Sequence, residues 1–104
     1  SIALAQVPLL DGALDSVKAG IFSSLQPQNL RLRRSIANPD MANKDPRLPL
    51  LFDPQTAGGL LASVPAERAQ ACLDELTRLG YDQAAEIGAV TPQGNQLEPI
   101  TVLA

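Results

Sequence analysis

Asp53, Gln55, Thr56 and the pair Gly58-Gly59 are the residues of this chain whose types and spacing point most directly to chemistry. They lie in one stretch, Leu51–Leu61, which reads LFDPQTAGGLL. Pro54 crowds the residue before it and pushes Asp53 toward extended backbone. Gln55 and Thr56 place an amide and a hydroxyl on the short loop that follows. The two glycines admit positive φ, or a close approach by another backbone or a ligand. Two readings stand side by side. In one, the stretch is a tight entry into a buried strand, with Asp53 and Thr56 bonding local amides. In the other it is a loop facing an anion or a nucleotide, since loops carry much of the function in folded proteins.

Other reactive groups are few. There is no histidine, which excludes His-based triads, His metal sites and His general bases within these residues. Cys72 falls on the apolar stripe of an expected helix, where a thiol is ordinarily a small buried hydrophobe. Arg31, Arg33 and Arg34, with Lys44 and Arg47 further on, are candidates for phosphate contact, against the plainer reading of a solvated basic face. Asp74 and Glu75 point away from the stripe and read as surface carboxylates. No residue of the chain is assigned as a catalytic group or a metal ligand.

The elements that must position the loop belong to one compact domain, since 104 residues leave no room for two. Hydrophobic residues make up 45%, including 17 leucines against two Phe, one Tyr and no Trp, so the core is aliphatic and offers no aromatic platform for bases. A net charge of −3 without a Lys/Arg run excludes the electrostatic footprint of a nucleic-acid binder. No apolar run approaches the roughly 20 residues of a membrane span. No signal peptide is legible, and a lone cysteine, unable to form an internal disulfide, suits the reducing cytoplasm. The chain opens in mid-pattern, without Met, and reads as a piece of something longer.

Ile2, Leu4 and Val7 predict a short strand ended by Pro8. Asp11 is the expected N-cap of a helix over Gly12–Ala19, with Lys18 near its end and Gly20 as its C′ residue. Ile21–Gln28 is expected to be a loop, and Asn29–Ala37 one or two helical turns. Pro39, Pro46, Pro49 and Pro54 argue against a long element from Asn38 to Pro54, although Leu48, Leu50, Leu51 and Phe52 are expected in the core. Gly59–Val64 (GLLASV) has the pattern of a buried strand. Pro65 fits the first turn of the next helix, with Glu67 behind it. Ala69, Cys72, Leu73, Leu76 and Leu79 form that helix's apolar stripe, and Gly80 closes it. Ala84–Val90 and Ile100–Leu103 read as further strands. Strand, helix, strand implies a parallel crossover, and the fold class is α/β (α+β), a single mixed sheet with helices packed on it.

The motif also resembles one found in a known family. Asp53–Leu61, DPQTAGGLL, resembles the Asp-Pro-Gln-Thr-Ser-Gly-Gly-Leu-Leu motif in the C-terminal domain of selenophosphate synthetases (selenide, water dikinases), with Ala57 where the family has serine. VPLLDGALDSVKAG before it, and VPAERAQACLDELTRLGY and AAEIGAV after it, are similar to neighbouring segments of the same family. The resemblance implies an ATP-dependent enzyme that makes selenophosphate from selenide, with Mg²⁺, releasing AMP and phosphate. It also implies the fold of the aminoimidazole ribonucleotide synthetase superfamily, in which a C-terminal α/β domain packs over an N-terminal ATP-binding domain that dimerises. This chain would then be the C-terminal domain, a scaffold and lid over the site, with Asp53, Gln55, Thr56, Gly58 and Gly59 as its substrate- or nucleotide-facing loop. ATP and Mg²⁺ belong to the full-length protein, and none is expected in these residues alone. The partner expected is the N-terminal ATP-binding domain of the same polypeptide, in a cytoplasmic homodimer.

Two departures limit the transfer. The family's reactive Cys or selenocysteine, the Lys beside it and its metal-binding aspartates lie in segments with no counterpart here. Ser23-Ser24-Leu25-Gln26 stands where the family has a Pro-Gly-Gly-Thr-like turn, and in that region only Asn29 matches. The alternative expectation is a non-catalytic interaction or oligomerisation module fused to a pyridine-nucleotide-disulfide oxidoreductase. A weaker one is a related enzyme using ATP on another acceptor.

Overall fold

The strand signals at the two ends of the chain converge on one small two-stranded parallel sheet, where a single larger mixed sheet is expected from the sequence. In the computed structural model, which describes Ser1 to Ala104, strand β1 (Ile2–Ala3) lies parallel to β2 (Val102–Leu103), with Ile2 opposite Val102 and Ala3 opposite Leu103. Ile2 also meets Gly88 in an antiparallel bridge, and Ile36 meets Ile100 in a parallel one. The two strands are thus flanked by single bridges, to Gly88 on the β1 side and to Ile36 on the β2 side. Asn38 extends the last rung: its Nδ2 donates to the Val102 carbonyl at 2.7 Å while the Val102 N–H donates to its Oδ1 at 2.9 Å. A side-chain amide here replaces a strand's peptide group.

The short helices follow their punctuation. Helix α1 runs Ala13–Lys18, as the pattern predicts, but its N-cap is Gly12 at φ 79°, and Asp11 makes no capping bond. Gly20, at φ +73°, ends it in a Schellman motif, with Gly20 N–H donating to Val17 and Ile21 N–H to Ser16. The proline-rich middle forms no long element. It forms single turns instead: α2 (Gln26–Asn29), a 3-10 run over Leu30–Ser35, α3 (Pro39–Ala42) and a 3-10 turn over Leu48–Phe52. The expected loop over 21–28 thus gives way to α2 in its last residues. In three of these turns a proline sits in the first positions, where an absent N–H breaks no bond.

Leu4, Ile36, Ala42, Leu48, Phe52 and Val102 form the core, with Leu30, Leu51 and Ile100 packed against it. Leu4, Leu48 and Val102 are each 1% exposed. The 48–52 turn is held to α2 by two amides: Gln26 Nε2 donates to the Pro49 carbonyl at 2.9 Å, and Asn29 Nδ2 to the Phe52 carbonyl at 3.0 Å. Gln26 is the one buried polar side chain, and its bond meets the requirement that buried polar groups be paired.

The second half departs from the expected crossover. Gly59–Val64 forms no strand, and of Ala84–Val90 only the neighbourhood of Gly88 joins the sheet. Helix α4 runs Ala69–Arg78 after a 3-10 turn over Ala66–Arg68, which Pro65 caps. Gly80, at φ +94°, closes it in a second Schellman motif. Its stripe is real in spacing but not covered: Ala69, Cys72, Leu73 and Leu76 are half-buried, Leu79 is exposed, and no residue of α4 is fully buried. Cys72 is therefore half-buried, not buried as expected. The physical reason is shared. A strand needs a hydrogen-bonding neighbour and an amphipathic helix needs an apolar surface, and within these 104 residues neither is supplied.

Candidate functional site

The loop carrying Asp53, Gln55, Thr56, Gly58 and Gly59 leaves the 48–52 turn just after the carbonyl that Asn29 holds. Phe52 anchors its near end in the core. Beyond Asp53 N–H, which donates to Leu50 at 3.3 Å, the anchoring stops. From Pro54 to Val64 no backbone or side-chain group makes a hydrogen bond within the chain. Asp53, Gln55, Thr56, Gly58 and Gly59 are all exposed. Neither the Asp53 carboxylate nor the Thr56 hydroxyl bonds a local amide.

Asp53 is the member of the set that reaches a concavity. With Ser16 and Val17 of α1, Phe22, Gln26 and Leu50, it lines a shallow cavity of about 120 Å³. That is well under the several hundred Å³ of a ligand site that encloses its ligand, so these residues wall one side of a site at most. Gln55, Thr56, Gly58 and Gly59 stand clear of it. A second concavity, about 300 Å³, is lined by Phe22, Gln26, Pro27, Leu30, Arg33 and Pro49. Of the basic candidates, Arg33 lies there, and Arg47 is engaged elsewhere.

The glycine pair has no positive φ, which in this chain is confined to Gly12, Gly20 and Gly80. A Cβ on Gly59 would meet nothing within 4 Å, and one on Gly58 would meet the Gln55 Oε1 at 2.5 Å, the movable end of a flexible side chain. Backbone geometry inside the chain thus does not require glycine at either position. Gly88, by contrast, has the Ser1 carbonyl directly where a Cβ would stand. Its importance was not readable locally, because the crowding backbone comes from the other end of the sequence.

Charge is paired away from the loop. Asp45 accepts from Arg47 Nε at 2.9 Å, Nη2 at 2.6 Å and the Arg47 N–H at 2.8 Å. The hydrogen bonds from the guanidinium hold the Asp45 carboxyl below its ordinary range and raise Arg47. On α4, Glu75 accepts from Arg78, and the same bond lowers the one and raises the other at an exposed site. Asp74 accepts from Gln70 at 2.8 Å. No three His, Cys, Asp or Glu side chains converge within the chain.

No family model and no solved structure matches the chain. Curated relatives do. The chain is 34% identical over 101 residues to a selenide, water dikinase of Clostridioides difficile, covering 93% of this chain and 27% of that protein. It is 33% identical over 84 residues to selenide, water dikinase 2 of Peptoclostridium acidaminophilum, covering 81% of this chain and 24% of the relative. A selenide, water dikinase of Clostridium botulinum is 33% identical over 96 residues, covering 92% and 27%. The chain thus spans about a quarter of the length of these relatives. Three relatives of one name, each matched over most of the chain, agree with the likeness that begins at Asp53–Leu61, and the chain belongs to the selenide, water dikinase family.

Proposed function

We propose that the chain is the C-terminal part of a cytoplasmic selenophosphate synthetase, in which ATP and selenide give selenophosphate, AMP and phosphate. Its role is to close the active site with the loop Asp53–Gly59, over a nucleotide and Mg²⁺ held by an N-terminal ATP-binding domain of the same polypeptide. The fold proposed for the whole is that of the aminoimidazole ribonucleotide synthetase superfamily, assembled as a homodimer. The observation that carries the role is the loop's lack of any internal bond. Asp53 and Thr56 hold their acceptor and hydroxyl outward, and the glycines are not needed for a turn, so the polar groups remain free for a ligand outside the chain. In this reading the catalytic groups belong to the N-terminal domain and none to these residues.

Thr56→Val and Gln55→Ala in the full-length protein test this reading. Both side chains are exposed and make no hydrogen bond within the chain, so the melting temperature is expected to stay within a degree or two of the parent while selenophosphate turnover falls about tenfold or more, the size of effect from one misplaced contact in a transition state. Full turnover per folded molecule in both variants would reduce the loop to a connector.

A further inference from the structure

We propose that Gly59–Val64, with the apolar stripe of α4 beside it in sequence, is a docking edge that receives a β-strand from the larger body of the synthetase. The inference rests on the reading of the chain as part of such a protein, and it names the surface by which that part is held. Leu60 is fully exposed, Leu61 79% exposed and Val64 42% exposed, in a six-residue run with the composition of a buried strand. Every peptide group of the run lacks a partner in the chain, the condition in which an extended segment pairs with a free sheet edge. No charge lies between Ala57 and Pro65 to oppose pairing. The half-exposed Ala69, Cys72, Leu73 and Leu76 of α4, a few residues on in sequence, leave a second apolar stripe uncovered.

Area decides between a second copy and a larger body. The chain exposes 8038 Å², whereas a folded monomer of its 11.0 kDa mass exposes about 5,600 Å². The excess of roughly 2,400 Å² is about three times what a standard interface takes from each partner. Pairing of two six-residue edges covers only a fraction of it. The three quarters of each relative's length that this chain does not match is a body of the required size.

Amide hydrogen exchange over 59–64 tests the assignment, compared between the 104-residue chain and the full-length protein. In the chain alone these amides are expected to exchange at nearly unstructured rates. In the full-length protein they are expected to slow by about a hundredfold or more, as paired strand amides do. Leu61→Lys is expected to leave the melting of the isolated chain unchanged and to lower that of the full-length protein. Fast exchange in both proteins would overturn the proposal, as would slow exchange in a dimer of the isolated chain, which would assign the edge to a second copy. Turnover separates this from the proposed activity. Protection without selenophosphate formation keeps the edge and removes the activity, and turnover with unprotected 59–64 does the reverse.

Discussion

Asn38 shows how much a single side chain contributes when it stands in for a strand. Its amide both donates to and accepts from Val102, a 1%-exposed core residue. Asn38→Ala would strand a buried donor and acceptor, and about 2–3 kcal/mol of stability should be lost in urea unfolding of the chain. Gly88→Ala is expected to cost a comparable amount, on the order of 1–3 kcal/mol, because the methyl would overlap the Ser1 carbonyl. Asp45 adds a pH dependence. Its pKa is lowered in the fold, so its pairing with Arg47 stabilises above the ordinary carboxylate range and is lost as pH falls through the lowered value. The stability difference between the parent and Asp45→Asn should accordingly shrink on acidification below about pH 4. The first two of these roles are not legible locally. Asn38 and Gly88 act on residues far along the chain, whereas the loop polar groups were legible because Asp-Pro and Gly-Gly mark a loop by themselves.

At the scale of elements, local chemistry is legible in the sequence and long-range pairing is not. Gly20 and Gly80 end their helices as their positions after the last periodic residue predict, and the prolines limit the middle to single turns. The apolar pattern of Leu48 and Phe52 placed both in the core. The Gly59–Val64 strand and the α4 stripe were read from patterns that describe what a segment can bury, and burial takes a partner these residues do not contain. Two truncations measure the difference. Leu48→Ala should cost about 2–5 kcal/mol, as for a fully buried leucine. Leu76→Ala, at a half-covered site on α4, should cost about 1 kcal/mol or less in the isolated chain. Equal losses would show that α4 packs more closely than its exposure indicates.

Seven of the 104 residues are buried, and the Cα radius of gyration is 14.8 Å against about 13 Å for a compact domain of this length. Both figures describe a small core, centred on the sheet and the 48–52 turn, with the 54–64 stretch and α4 left largely uncovered. No helix is long and apolar enough to cross a membrane. Family membership follows from the relatives, and the proposed activity is a separate claim with its own test. The most direct measurement is selenide-dependent formation of AMP from ATP, by the purified 104 residues and by the full-length protein under the same conditions. Selenide-dependent AMP from the full-length protein and none from the isolated chain is the expected result. AMP formation by the isolated chain, or its absence from a folded full-length protein, would contradict the account.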